Sequence, residues 1–224
     1  MKRFLLTGLL VLLFATVKAE DGYRLWLRYD AIKNTAQASA YRKIVTQLIF
    51  PGADATLAAA RKELLNGLNG LLKYQPTDVN SISANGSLII GTPQSSALLA
   101  DARFKPLLAG LNKDGYFIKS ITLQGKNCAV IGANTNTGVL YGVFNFLKLL
   151  QTGKVINQLS IADQPATTYR ILDHWDNLNR SVERGYAGFS IWNWHKLPEF
   201  IDPRYIDYAR ENTPAQCEGD RTAP

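Results

Sequence analysis

Strand-like and helix-like hydrophobic spacing alternate along residues 20–153, and this order restricts the fold more than any other feature of the chain. Apolar residues three or four positions apart predict helices over 36–49, 54–72 and 137–151. Short apolar or alternating runs predict strands over 23–29, 87–91, 116–123 and 128–132. A weaker helical pattern over 96–111 is interrupted by Pro106.

The predicted order is β-α-α-β-α-β-β-α, with a hairpin joining the last two strands directly. Local hairpins mixed with helices favour one α+β layer domain over a strictly alternating parallel sheet. We therefore expect residues 20–153 to form a mixed sheet layered with helices. Apolar residues make up 46% of the chain and charged residues 19%, which excludes global disorder.

The first nineteen residues have the pattern of a secretory signal peptide. Lys2 and Arg3 precede an apolar run over residues 4–17, and short side chains surround the expected cleavage point at Ala19. The run is shorter than the roughly 20 residues that span a bilayer comfortably, so an uncleaved anchor is the less favoured alternative. We expect a signal peptide over 1–19, a secreted or periplasmic protein, and no membrane partner.

Charge and cysteine content exclude several classes of partner. Removing the predicted signal peptide leaves 22 basic and 18 acidic residues without a basic run, which argues against nucleic acid. Cys128 and Cys217 lie in different contexts, so no disulfide is predicted, and two thiols cannot make a thiolate zinc site. His174 and His195 lack a third ligand at helical spacing. We predict neither a metal nor a cofactor.

Residues 169–210 have a different character from the preceding domain, from which a polar connector over 154–168 separates them. Both histidines and three of the four tryptophans lie between 174 and 195, among Asn, Asp and Arg residues. An indole face stacks on the apolar face of a sugar ring while amides and charges bind its hydroxyls. This composition therefore suggests sugar binding, with packing of a domain interface as the alternative.

Specific motifs within this segment resemble glycoside hydrolase family 67, the α-glucuronidases of xylan breakdown. They are HWDNLNR at 174–180, VERGYAG at 182–188 and SIW at 190–192. GVLYG at 138–142 and the opening residues 20–29 also resemble the N-terminal domain of that family. The resemblance covers nearly all of residues 20–210.

The resemblance implies an N-terminal α+β domain without catalytic residues, then a (β/α)8 barrel, then a helical C-terminal domain. Family members remove 4-O-methyl-glucuronic acid linked α-1,2 to xylo-oligosaccharides, with inversion. Residues 169–176 would be the first barrel strand, and barrel active sites lie at the C-terminal ends of strands. Trp175 would then line the sugar pocket as a substrate-binding residue. A homodimer of the complete enzyme is also expected.

The sequence departs from the family in the extent of its barrel. Such a barrel takes roughly 250 residues, whereas the resemblance continues only over 169–210 after the connector. The family's catalytic carboxylates lie on later strands, so no catalytic residue is assigned here, and Asp173, Asp176 and Glu183 are not expected to replace them. We expect a barrel that is cut short, followed by a non-homologous, disordered tail over 211–224. The alternatives are a stand-alone, non-catalytic carbohydrate-binding or accessory domain and a remnant without function.

Overall fold

The computed structural model describes residues 24–215. The predicted signal peptide over 1–19 lies outside the described residues, as do residues 216–224 of the predicted tail, which include Cys217. None of the helices within 24–215 is both long enough and apolar enough to cross a membrane.

Strands and helices alternate irregularly along the described chain. The strands are β1 (Gln47–Ile49), β2 (Thr77–Asp78), β3 (Ser87–Gly91), β4 (Tyr116–Leu123), β5 (Lys126–Ala133) and β6 (Ser160–Asp163). The α-helices are α1 (Thr35–Arg42), α2 (Ala55–Leu72), α3 (Lys105–Ala109), α4 (Asn136–Gln151) and α5 (Pro203–Ala215). Short 3₁₀ helices cover Leu25–Arg28, Ala102–Phe104 and Trp194–Lys196.

The strands form one mixed sheet in the order β2-β1-β3-β5-β4-β6. Strands β2, β1, β3 and β5 are parallel, with Leu88 of β3 opposite Ala129 of β5. Strand β4 runs antiparallel to both β5 and β6, and Ile118 faces Ile131 across the hairpin. A mixed sheet that combines crossovers with a hairpin is the predicted α+β class, and this prediction is confirmed.

Capping side chains begin the two long helices where the sequence places polar residues. Asp54 accepts a hydrogen bond from the Thr56 backbone N–H at 2.8 Å, immediately before α2. Thr135 Oγ1 accepts one from the Gly138 backbone N–H at 3.2 Å, immediately before α4. Each cap satisfies a backbone donor that the first helical turn leaves free. The helices predicted over 54–72 and 137–151 are confirmed.

Each face of the sheet is covered by its own apolar layer, because side chains alternate sides along a strand. On β3, Leu88 and Ile90 belong to the larger cluster that α2 and α4 complete. Ile89 points the other way, into a smaller cluster with Phe104 and Leu108 from the α3 region. The sheet is thus the middle of three layers, which explains why β3 is buried at every position.

Helices α2 and α4 pack in close contact through a glycine. A Cβ atom on Gly67 would lie only 2.5 Å from Cδ2 of Leu147, a fully buried residue of α4. The absence of that atom lets the two helices approach, so both bury their apolar stripes against the same face of the sheet.

The structure corrects the first two predicted elements. Residues 23–29 were expected to form a strand, but Leu25–Arg28 is a 3₁₀ helix between Arg24 and Tyr29, which both have left-handed backbones. The helix predicted over 36–49 ends at Arg42, and residues 47–49 form β1 instead. In β1, pairing with β3 outweighs the helical spacing of the apolar residues.

Later predictions also differ from the structure. Within the predicted connector, Ser160–Asp163 forms the edge strand β6, whose partly exposed side chains leave no apolar signature. The expected barrel strand over 169–176 is not formed in the described part of the chain, where Tyr169 and Ile171 are each 85% exposed. Residues 211–215 of the predicted tail continue α5. The remaining domain boundaries stay predictions.

Close packing against α2 provides a test of this fold. We expect Gly70→Ala to lower the free energy of unfolding by about 1–3 kcal/mol, despite the better helix propensity of alanine. The added Cβ would lie 2.6 Å from the backbone oxygen of Tyr29, so the backbone itself must shift. Urea denaturation of the 224-residue chain measures the change.

Gly110→Ala is the matched control, since the nearest atom to its added Cβ is 3.8 Å away. It should leave the urea midpoint nearly unchanged. Equal midpoints for both variants would contradict the packing described for Gly70.

Candidate functional site

Trp175 lies on the surface of the segment that follows the sheet. Its side chain is 65% exposed, and its indole Nε1 donates to Asp173 Oδ2 at 2.9 Å. Its backbone carbonyl accepts a hydrogen bond from the Glu183 N–H at 2.7 Å. One face of the residue is therefore fixed by hydrogen bonds while much of the indole remains open to a ligand. Its predicted role in sugar binding stays a prediction.

Residues 175–190 form a loop closed by its own side chains, which we call the indole loop. Isolated β-bridges pair Asp176 with Val182 and Ser181 with Phe189. Inside the loop, Asn177 Nδ2 donates to the Glu183 carbonyl at 2.6 Å and to the Ser181 carbonyl at 3.0 Å. Side-chain amides satisfy turn backbones in this way, so Asn177 has a structural use within the loop.

A buried serine connects the two ends of the indole loop. Ser190 Oγ donates to Asp176 Oδ2 at 2.7 Å and accepts from the Trp192 backbone N–H at 2.9 Å. Arg180 Nη2 donates to the Ser190 carbonyl at 3.1 Å. Ser190 is thus used for hydrogen bonding within the loop, and Asp176 has one oxygen already engaged.

Five rings pack beside the indole loop, and we call them the aromatic cluster: His174, Trp192, Trp194, Tyr205 and Tyr208. The Trp192 ring lies 4.6 Å from Tyr205, 5.8 Å from Tyr208 and 6.3 Å from Trp194, between centroids. His174 Nε2 lies 2.9 Å from the Tyr208 hydroxyl, within hydrogen-bond distance. The Tyr205 hydroxyl accepts from the Asn193 backbone N–H at 2.7 Å. Packing and hydrogen bonds together orient His174 beside Trp175.

Helix α5 links the aromatic cluster to the sheet domain through a charge network. Arg210 forms a bidentate ion pair with Glu63 of α2, with N–O distances of 2.7 and 2.8 Å. Arg210 also donates to Asp207 at 2.6 Å, and Arg24 contacts the other Asp207 oxygen at 3.2 Å. The Tyr29 hydroxyl donates to Glu63 at 2.6 Å. Glu63 and Asp207 are buried, so each carboxylate needs these partners.

The network shifts the titration of its neutral and cationic members. Burial raises the pKa of Tyr29 above its usual range, and the nearby Glu63 carboxylate raises this pKa further. The hydrogen bond to Glu63 raises the pKa of Arg210. Tyr29 therefore stays protonated as a donor, and Arg210 stays charged.

A second ion pair holds the start of the segment against the sheet domain. Arg170 Nη2 donates to Asp114 at 2.8 Å and lies 3.4 Å from the Tyr141 hydroxyl. The hydrogen bond to Asp114 raises the pKa of Arg170. This contact fixes the chain just before Trp175, although the apolar residues between them are exposed.

The chemistry available at the indole loop is that of binding. An exposed indole with nearby amides and carboxylates can stack on a pyranose and bind its hydroxyls. Among residues 24–215, His, Cys, Asp and Glu form no group of three that could hold a metal. Cys128 is buried in the sheet, and burial raises the pKa of its thiol.

A separate concavity lies on the sheet domain. It has a volume of about 350 Å³ and is lined by Trp26, Tyr29, Asn34, Gln37, Leu150 and Gln151 among others. Neither Trp175 nor the aromatic cluster contributes to it. A sugar stacked on Trp175 would therefore lie outside this concavity.

The sequence pattern indicates the aromatic residues of 174–195 but not their partners on α5. Tyr205 and Tyr208 are spaced by three, which places them on one helical face and could have indicated a shared contact. The Arg210–Glu63 pair joins residues 147 positions apart and has no local signature.

Comparisons with known proteins match both parts of the described chain. The model for the glycosyl hydrolase family 67 N-terminus matches residues 25–146, and the model for the family 67 middle domain matches 149–219. Alpha-glucuronidase A of Emericella nidulans is 34% identical over 94% of this chain and 25% of the relative. Probable alpha-glucuronidase A of Neosartorya fischeri is 29% identical over 78% of this chain and 20% of the relative. The chain thus spans about a quarter or less of the length of these curated relatives.

A solved structure shares the fold at low sequence identity. It is described as a novel family GH115 4-O-methyl-α-glucuronidase with specificity for decorated arabinogalactans. The match has a TM-score of 0.52 and 16% identity, over 77% of this chain and 24% of that one. At this identity the match supports the fold alone.

The buried phenol of Tyr29 predicts a dependence of stability on alkaline pH. The unfolded phenol loses its proton as pH rises through the usual value of 10.0, while the folded one keeps it. The contribution of Tyr29 to the free energy of unfolding is therefore constant below pH 10. Above pH 10 it decreases, by up to about 1.4 kcal/mol per pH unit. The free energy of unfolding of the Tyr29→Phe variant should fall less steeply over about pH 10–11 than that of the unsubstituted chain. Urea denaturation measures both.

Tyr186→Phe is the control for this measurement, since Tyr186 is 76% exposed. It should keep the slope of the unsubstituted chain. If Tyr29→Phe also kept that slope, the raised pKa of the buried Tyr29 phenol would be refuted.

Proposed function

Because the chain belongs to glycoside hydrolase family 67, we propose that it forms the N-terminal part of an α-glucuronidase that removes (4-O-methyl)glucuronic acid from xylo-oligosaccharides in xylan breakdown. The observation that carries the proposal is the match of two consecutive family domains in their order along the chain. The chain spans 25% of its relative from Emericella nidulans, so the proposed activity is that of a longer protein.

Trp175 is the residue through which this segment would meet the substrate. Its exposed indole supports a stacking role. The hydrogen bond from Nε1 to Asp173 orients the ring, and the hydrogen bond from the Glu183 N–H to the Trp175 carbonyl fixes the backbone. A preorganised ring loses little freedom when a sugar binds. The ligand in this proposal is a xylo-oligosaccharide carrying glucuronic acid, with no metal or cofactor.

The carboxylates near Trp175 are better suited to holding the loop than to hydrolysis. Inverting hydrolysis needs an acid and a base about 6.5–9.5 Å apart across the bond. Asp173 accepts a hydrogen bond from the Trp175 indole, and Asp176 accepts one from Ser190. Both carboxylates therefore stabilise the loop conformation. We propose that the acid and base come from later strands of a (β/α)8 barrel, as in other family members.

Exposed apolar side chains support packing of further barrel strands on this segment. Tyr169, Ile171 and Phe189 are each more than 80% exposed, which is unusual for a group of large apolar residues so close in sequence. Secretion or periplasmic location is proposed from the signal-peptide pattern over 1–19. A homodimer of the complete enzyme remains a prediction from the family resemblance.

Substitution of Trp175 in the complete enzyme tests its role. We expect Trp175→Ala to lower kcat/KM on aldouronic acids about 5- to 150-fold, the range of lost ring stacking. The melting temperature should stay nearly unchanged, because the indole is exposed. Tyr186→Ala, at an exposed ring of the same loop, is the matched control and should leave both quantities unchanged. A large loss of melting temperature with unchanged kinetics would show that Trp175 serves packing instead.

The 224-residue chain on its own should release no glucuronic acid, because we propose that the acid and base lie on later barrel strands. The assay incubates purified chain with aldouronic acids and measures free 4-O-methyl-glucuronic acid against a blank. Release that Asp176→Asn or Glu183→Gln abolishes would contradict this expectation. Binding without release, by a chain that stays monomeric, would favour the alternative of a stand-alone carbohydrate-binding domain.

A further inference from the structure

Helix α5 uses opposite faces for two different contacts. Successive residues of an α-helix are rotated by about 100°, so Asp207 and Arg210 lie almost opposite Tyr205 and Tyr208. The first pair meets Glu63 and Arg24 of the sheet domain. The second pair packs on Trp192 and His174. The helix is therefore one physical link between the domain core and the residues that flank Trp175, beside the Arg170–Asp114 pair.

The contact on the domain side fixes the helix in orientation as well as position. Both Glu63 oxygens accept hydrogen bonds from Arg210, through Nε at 2.7 Å and Nη2 at 2.8 Å. A bidentate guanidinium–carboxylate pair fixes the relative orientation of the two planar groups, which a single hydrogen bond from lysine cannot do. Glu63 is only 4% exposed and lies on α2, whose buried apolar residues belong to the larger core cluster, so its carboxylate is held in a fixed place.

The contact on the other side reaches the indole loop. Tyr208 places its hydroxyl 2.9 Å from His174 Nε2, and its ring centroid lies 5.5 Å from the His174 ring. His174 precedes Trp175 directly in the chain, and its ring lies edge-on to Trp192 at 5.9 Å. A rotation of α5 would therefore change the surroundings of His174 before those of more distant residues.

We propose that Glu63 is a positioning residue: through Arg210 and helix α5 it sets the orientation of His174 and thereby of the indole loop that carries Trp175. Its effect on sugar binding rests on the proposed function, whereas its effect on His174 does not. In this way a residue of the sheet domain that touches no substrate would help to orient the site.

Nitrogen NMR of the imidazole rings tests the link without any sugar. The chain has two histidines, so each variant gives one signal pair from His174 and one from His195, which serves as an internal reference. Glu63→Gln removes the negative charge and one of the two oxygens that accept from Arg210. We expect the His174 ring signals to shift in this variant while those of His195 stay in place. Unchanged His174 signals, or equal shifts at both rings, would overturn the proposal.

Asp78→Asn is the matched control, because it breaks an ion pair between Arg61 of the same helix and the edge strand β2. It should leave both histidines unchanged. If the Glu63→Gln variant fails to fold, Arg210→Lys takes its place. Lysine keeps the positive charge and loses only the bidentate geometry of the pair. The same selective His174 shift is then expected, and its absence overturns the proposal equally.

Kinetics of the complete enzyme separate positioning from stability. Glu63→Gln should raise KM for aldouronic acids about 3- to 30-fold at a temperature where the variant is fully folded. Its effect should be non-additive with that of Tyr208→Phe, because both act through one helix. Additive effects would overturn the link. An unsubstituted enzyme that does not act on aldouronic acids would refute the proposed function, while the NMR result would still decide the role of Glu63.

Discussion

One face of α2 determines where the surrounding segments lie. Gly67 admits Leu147 of α4, Gly70 admits the backbone of Tyr29, and Glu63 binds Arg210 of α5. These three residues are spaced by four and three, so they line up along a single side of the helix. Helix α4, the N-terminal turn and helix α5 are each located relative to this side. Its combination of two glycines and one buried carboxylate leaves little freedom for any of them.

Local patterns in the sequence predicted the elements whose stability is also local. Helices α2 and α4 have capping residues at their starts and apolar stripes that are buried as expected. The hairpin of β4 and β5 closes through a two-residue turn, so its pairing follows from neighbouring residues. Strand β1 was predicted as helix because its partners, residues 77–78 and 87–89, lie far along the chain. Edge strand β6 was missed because its exposed side chains show no apolar alternation.

The candidate site was predictable only in part for a similar reason. The motifs around Trp175 were recognisable as residue types suited to a sugar, and the structure places that indole at the surface. The partners that hold helix α5 were not recognisable, since Glu63 and Tyr29 belong to another region of the sequence. A charged residue in a helical stripe such as Glu63 gives no sign of its partner until the fold is known.

The order of contacts along the chain has a consequence for how the molecule folds. Residues 116–151 contain the β4–β5 hairpin and α4 with mostly short loops between them, so little chain entropy is lost when they associate. The Glu63–Arg210 pair instead closes a loop of 147 residues and gains from burial only once α2 is packed. We therefore expect the sheet and its two long helices to assemble first. Helix α5 and the indole loop would dock last and open first under mild denaturant.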